Sequence, residues 1–477
     1  VDGLDAGIVK PVRGRGPVHS GPGAGAGQRR GPVSAGWANL KSSGWLMLPA
    51  AMLWIAVNLP SVSTMSYDWD AAQYSLGTLE YNLVKHQPHP PGYPLWVLGL
   101  RALAPLTGGA PLAQTILGCA LTLAALFCFY RLARVWSGAR AAVALTLLLG
   151  FSPPVQLYAF AQSTYPVDFL ASCLLGWLAW RMWQGDVAAL RTALPAAAVL
   201  MGFRPSGVLM LGPLLAVAAA RGFQRQPKAL VAPLVAAALV FLAWFWPLQA
   251  SVGGVGEWAQ LNRDLFLSNA GITSLFLGAP GPVVLKIMAR LTLILGVALV
   301  PLVGLVVPGQ ARASRPWGFL ILWLAPGLLF NYLVHFAKPG YLLLVLPPLF
   351  LALGAVRPTR RTVLAGLVAA EVLAVLPYDR LPEHKLTRAI AVCTPHAART
   401  AQRANSALRQ QVARLQPAHI RCEDAFRETA PNIRTVAYDF RGQAGPNAPV
   451  HLVRQEGAGP AGTRLVYRGN GFELWQP

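Results

Sequence analysis

Long apolar runs recur from one end of the chain to the other, and most lack a polar face. "WLMLPAAMLWIAVNLP", "ALVAPLVAAALVFLAWFWPL" and "VVLKIMARLTLILGVALVPLVGLVV" are three of them. A helix that is apolar around most of its circumference has no side to offer water, and about 20 such residues match a bilayer core. The pattern predicts spans near 44–60, 111–132, 141–158, 166–183, 193–203, 205–220, 229–249, 283–308, 317–335, 340–356 and 362–377. The segment 193–203 is short for a straight crossing. "PLWVLGLRALAP" (94–105) reads instead as an amphipathic helix in the outer interface. From Tyr378 the pattern changes. "TPHAARTAQRANSALRQQVARL" has a helical period, while "IRTVAYDF", "PVHLVRQEG" and "TRLVYRGNGFELW" alternate like strands around a Gly-Asn-Gly turn. The fold class expected is an all-α polytopic membrane protein of about eleven transmembrane helices. Its domains would be a disordered basic cytoplasmic tail (1–43), a transmembrane domain (44–377) with a first outer loop at 61–110, and a small extracytoplasmic α+β domain (378–477).

Composition agrees with the pattern. The chain is 55% hydrophobic and only 12% charged, against about a quarter in soluble domains. Its net charge of +22 first suggests nucleic acid, but no basic helix with interleaved aromatics exists, so no nucleic-acid partner is expected. The Lys and Arg residues fall on alternate connections, among them Arg131, Arg134 and Arg140, then Arg221, Arg225 and Lys228. That alternation puts the N-terminus and these connections in the cytoplasm. The setting implied is a bacterial-type cytoplasmic (inner) membrane, with the lipid bilayer as partner and the C-terminal domain outside. No signal-peptide cleavage site follows the first apolar core, which reads as a retained anchor. Cys119, Cys128 and Cys173 fall in spans as packing residues, and Cys393 and Cys422 have the option of an extracytoplasmic disulfide.

Ionisable groups at membrane depth are costly and point to function. Here they gather on one face. The first outer loop holds Asp68, Asp70, Glu80, Lys85, His86 and His89; Arg204 sits in "MGFRPSG"; His335 and Lys338 sit in "NYLVHFAKPGYLLLVLPPL". Each has a plainer role open to it. Arg204 and Asp70 could cap helices, Lys338 could snorkel, His335 could serve as a local hydrogen-bond partner, and Glu80 and Lys85 could be solvated loop charges. "HPPGYPLW" is more specific, because consecutive prolines stiffen the backbone that holds His89. A carboxylate facing cations at the membrane boundary suits a substrate with a phosphate leaving group and a hydroxyl to be activated. The cations would hold the phosphate and the carboxylate would take the proton.

"WDAAQYSLGTLEYNLVKHQPHPPGYPLW" resembles the first outer loop of the integral-membrane GT-C glycosyltransferases, in the protein O-mannosyltransferase-like and aminoarabinose-transferase-like branch. That branch carries an acid shortly after the first span and a His-Pro-Pro or Lys-Pro-Pro motif about 20 residues on. "GFRPSG" and "AKPGYLLLVLPPL" are similar to it as well. The resemblance covers roughly residues 44–377. It implies a polyprenyl-phosphate-linked sugar donor and an extracytoplasmic acceptor. It implies Asp70 as the catalytic acid position, with Asp68 beside it, and Arg204 and Lys338 near the donor phosphate. His86, His89, His335 and Tyr341 are the remaining substrate-binding candidates. "DWD" departs from the adjacent Asp-Glu pair of the branch and looks like a metal-using D-x-D, so a divalent metal on Asp68 and Asp70 is left open.

The competing reading is a transporter or flippase of a lipid-linked or phosphorylated solute. It would call for internal repeats and broken helices at mid-membrane. No convincing repeat is visible.

Overall fold

The computed structural model describes residues 47–403 except 63–65, 67, 225, 306–315, 337, 355–357, 383 and 401, together with Gly462 and four strands. Among the described residues, each segment expected to be a span is largely helical. The helices that matter below are α1 (Met47–Asn58), α2 (Trp69–Leu79), α3 (Pro94–Thr107), α4 (Ala110–Ser137), α5 (Ala139–Gly150) and α6 (Pro153–Phe160). They continue with α7 (Tyr165–Trp183), α8 (Val187–Phe203), α9 (Pro205–Phe223), α10 (Val231–Ala250), α11 (Val255–Ala270) and α12 (Gly281–Leu299). The last are α13 (Trp317–Leu329), α14 (Leu346–Leu353), α15 (Arg360–Val375) and α16 (Lys385–Ala391).

Among the described residues, five helices are long and apolar enough to cross a membrane, or six when α5 and α6 count as one bent span. Other apolar runs form shorter helices, among them Leu48–Ser61 and Val187–Phe203. The segment 141–158 bends by 64° where Pro153 and Pro154 start a new helix after Ser152. The hydroxyl of Ser152 donates to the carbonyl of Ala298 (2.7 Å) and ties the break to α12. The short segment expected at 193–203 starts earlier, at Val187, and makes a helix of 17 residues. "PLWVLGLRALAP" is helical as expected; α3 buries Trp96, Val97 and Leu100 and leaves Leu98 and Leu106 exposed.

The core lies along α4, α7 and α9 and includes Phe129, Tyr158, Phe169 and Leu211. The surface of α10 is the reverse: Leu234, Val235, Leu239 and Leu242 are all exposed. A soluble domain would bury such a face, whereas lipid accepts it.

Four strands form one sheet in the order β1 (His419–Cys422), β2 (Val450–Arg454), β4 (Phe472–Gln476), β3 (Arg464–Gly469). β1 and β2 are parallel and the other pairs antiparallel. β2, β3 and β4 match expected strands, and β1 adds to them. "IRTVAYDF" lies outside the described residues, as does most of the 394–415 helix. Cys393 is buried with its thiol on the Ile390 carbonyl (2.9 Å), while the side chain of Cys422 is outside the described residues.

Candidate active site

The described residues between α1 and α3 form a folded unit. Asp68 caps α2: its Oδ1 accepts from the Ala71 amide at 3.0 Å. The capping role open to Asp70 thus belongs to Asp68, and Asp70 sits in the first turn with its carboxylate free to face another element. Two side chains fix the helix. Gln114 of α4 donates to the Ala71 carbonyl (3.0 Å) and to Ser75 Oγ (2.9 Å). Arg101 of α3 donates to the carbonyls of Gly77 and Thr78, both at 3.0 Å, at the negative end of the helix dipole.

The prolines then turn the chain back. Asn82 and Gln87 exchange backbone bonds at 2.7 and 2.8 Å, and His86 takes a φ of 54° at the tip of this hairpin. Gly92 has a φ of 108°, and its carbonyl accepts from the Tyr81 hydroxyl at 2.8 Å. A Cβ there would stand 2.6 Å from that same hydroxyl, so glycine is required on both counts. His89 is held between Gln73 Oε1 (2.6 Å, from Nδ1) and the Tyr93 hydroxyl (3.0 Å, to Nε2). With Gln73 accepting, Nδ1 carries the proton and Nε2 accepts from Tyr93. Burial pushes the His89 imidazole down to about 4 against the pull of Asp70, with Lys338 and Arg204 adding to the drop. His89 is therefore neutral near pH 7.

Lys338 comes from a distant part of the chain. It stands in extended backbone just before Pro339, as residues preceding proline tend to. The segment Pro339–Leu344 is tied to α7 by the Ser172 hydroxyl, which donates to the Leu344 carbonyl at 2.6 Å. The ammonium reaches Asp68 Oδ2 and Asp70 Oδ2, each at 2.6 Å. The three side chains are less than one third exposed. For Asp70, burial opposes ionisation, but Lys338 and then His89 outweigh it and bring the carboxyl down to about 2. Burial raises Asp68, against Lys338 and with the repulsion of Asp70. Burial works against the Lys338 charge, yet the two carboxylates raise its proton affinity well above the usual lysine range.

Arg204 also precedes a proline in extended backbone, between α8 and α9. It is buried, at 6% exposure, and its side chain bonds Asp168 and Thr164 rather than capping the end of α8. Its Nε donates to Asp168 Oδ2 (2.6 Å) and its Nη1 to Thr164 Oγ1 (2.6 Å). The guanidinium lies over the Tyr165 ring at 4.3 Å and nearer the edge of the site over Tyr341 at 5.8 Å. Gly207 packs so closely that a Cβ would collide with Asp168 Oδ1. Tyr74 connects the halves: its hydroxyl pairs with Thr164 Oγ1 at 3.2 Å, and its ring packs on His89 and Tyr93.

The structure thus brings Asp68, Asp70, His89, Arg204, Lys338 and Tyr341 together. His335 lies at the margin, bonded to Thr273 Oγ1 at 2.9 Å and edge-on to the Tyr341 ring at 5.8 Å. His86 stays at the hairpin tip, and Glu80 and Lys85 pair with each other at 2.6 Å on the surface. A metal on Asp68 and Asp70 does not fit this arrangement, because the Lys338 ammonium already stands between the carboxylates. Among the described residues, no group of three His, Cys, Asp or Glu could hold a metal ion.

Sequence reasoning missed Asp168, Thr164, Gln73 and Tyr93. Asp168 carried a signal, since it is the one acid of the apolar helix α7. Gln73 and Thr164 carried none, because neutral polar residues are common in any helix or turn. Chemically, the site balances acids against cations that an incoming phosphate could recruit. It also offers a carboxylate to accept a proton and tyrosine rings to line the approach.

The chain has the fold of ArnT from Cupriavidus metallidurans. The structure of that protein bound to undecaprenyl phosphate matches with a TM-score of 0.60 at 15% identity, over 91% of this chain and 98% of that one. Its apo state matches with a TM-score of 0.61 at 16% identity over the same shares. No family model matches the sequence, and no curated protein matches it either.

Proposed function

We propose that this protein is a membrane glycosyltransferase that moves a monosaccharide from a polyprenyl-phosphate-linked donor to an extracytoplasmic lipid, protein or glycan acceptor. The observation that carries the reading is the Lys338 ammonium shared between Asp68 and Asp70, beside the buried Arg204 guanidinium. At rest the single ammonium is shared by the two carboxylates. A donor phosphate entering this space competes with the carboxylates for Lys338 and meets Arg204, whose Nε and Nη1 are held by Asp168 and Thr164. Once Lys338 turns to the phosphate, Asp70 loses its strongest counter-charge. Burial then raises its proton affinity toward that of a working base.

The acceptor hydroxyl attacks the anomeric carbon as Asp70 takes its proton. The bond from that carbon to the phosphate oxygen breaks, and its electron pair leaves on the polyprenyl phosphate. The result is a single displacement with inversion. The phosphate leaves as a stabilised anion held by Lys338 and Arg204, so no strong general acid is needed. Asp68 keeps α2 capped and shares Lys338, which fixes where Asp70 points. His89, neutral and braced by Gln73 and Tyr93, contributes hydrogen bonding rather than charge. Support for a polyprenyl-phosphate donor comes from the shared fold with ArnT, which binds undecaprenyl phosphate.

The test is transfer of labelled sugar from a polyprenyl-phosphate donor to a membrane extract by the reconstituted protein. Asp70→Asn, nearly isosteric, should reduce transfer by about a thousandfold or more with folding intact. Full transfer by this variant would remove Asp70 from the mechanism. Counter-flow of unmodified donor without transfer would point to a transporter instead.

A further inference from the structure

A groove of about 760 Å³ opens where α1 and α15 end, and none of the Asp70-cluster residues lines it. Its lining carries Arg380, Arg399, Arg403 and His396 with one carboxylate, Asp379, and includes the apolar Val375 and Pro60. The charges are unbalanced. Arg403 and Asp379 stand 3.7 Å apart and are both largely exposed, so that pair compensates little. Arg399 donates to the Ala374 carbonyl at the end of α15. Burial and the nearby Arg403 lower the proton affinity of the Arg399 guanidinium, with Glu371 opposing. Arg380 has no side-chain partner among the described residues. Like charges converging on a concave surface repel one another unless an anion joins them.

A second observation says what kind of anion. Leu364, Val368, Val372 and Val375 are each more than half exposed and follow one face of α15 at helical spacing, ending at the groove. Exposed Met52 lies on α1 and exposed Leu59 in the turn that follows it, next to the groove residue Pro60. An apolar track leading into a cluster of guanidinium groups matches an acyl chain carrying a phosphate.

We propose that this groove is a lipid site separate from the Asp70 cluster. It takes the phosphate of an anionic lipid headgroup on Arg380, Arg399 and Arg403, with an acyl chain along the Leu364–Val375 face. The assignment does not depend on the transfer reaction.

The test uses the full chain in detergent, with dioleoyl phosphatidic acid, dioleoyl phosphatidylcholine and glycerol 3-phosphate as probes, and bound lipid counted by native mass spectrometry. The double variant Arg380→Gln, Arg403→Gln leaves the Arg399 bond to α15 in place, and its thermal unfolding checks that it folds. Removing one charge-assisted hydrogen bond weakens binding by about tenfold, so the folded double variant should hold phosphatidic acid at least that much less tightly. Val368→Gln should weaken phosphatidic acid as well. Equal retention of phosphatidic acid by wild type and the double variant would overturn the proposal. So would equal retention of the two lipids by the wild type. Competition by glycerol 3-phosphate as effective as by phosphatidic acid would overturn the lipid assignment, since the acyl track would then contribute nothing.

Discussion

Replacing Lys338 with methionine keeps the length of the side chain and removes the charge that two carboxylates share. Two routes give the size of the effect. The Asp70 carboxyl lies near 2 against an ordinary 3.8. At about 1.4 kcal/mol per tenfold in proton affinity, that gap is worth roughly 2 kcal/mol at neutral pH. Independently, stripping one partner from a buried ion pair costs about 3–5 kcal/mol, and partial exposure brings this down toward about 2–3 kcal/mol. The pH dependence supplies the sharper test. In the wild type the depressed Asp70 contributes stability that is complete above pH 3.8 and is lost as the pH falls through about 2. In Lys338→Met the same carboxyl is raised by burial and by Asp68, so the variant is penalised at pH 7 and relieved as it takes up a proton. The gap in melting temperature between the two proteins, read by tryptophan fluorescence in detergent, should be about 2–3 °C at pH 7. It should shrink by at least half at pH 4.5. A gap that is absent, or that widens on acidification, would refute the shared-ammonium account of this site.

Other expectations follow from neighbouring residues. Gly207→Ala drives a methyl group into Asp168 Oδ1 and should cost about 1–3 kcal/mol of stability and shift Arg204, lowering sugar transfer at least about tenfold in the same assay. Arg101→Ala frees two helix-end carbonyls on α2 and should cost about 1 kcal/mol in thermal unfolding while leaving transfer within about threefold. His89 is depressed to about 4, so its neutral state contributes stability above pH 6.5 that is lost as the pH falls from 6.5 toward 4. His89→Gln should flatten that part of the unfolding profile, and the wild-type transfer rate should show no His89 inflection between pH 6 and 8.

The order of helices was legible in the sequence because apolar length and proline breaks are local properties, and each expected segment is largely helical among the described residues. The first-loop site was partly legible for the same reason. An acid at a helix start, a proline-stiffened bend and two cations placed before prolines all declare themselves within a few residues. Which aspartate caps α2 was not legible, because Asp68 and Asp70 differ only by the register of one helical start. Only tertiary packing decided that Lys338 would reach both acids across 268 and 270 positions of chain. It also decided that Arg204 would be buried against Asp168 rather than exposed at a turn. Ion pairs of this kind depend on how α7, α9 and the Pro339–Leu344 segment pack, and no local pattern encodes that distance. The number of true crossings belongs to the same class, since composition marks an apolar run but packing and proline bends decide whether it spans.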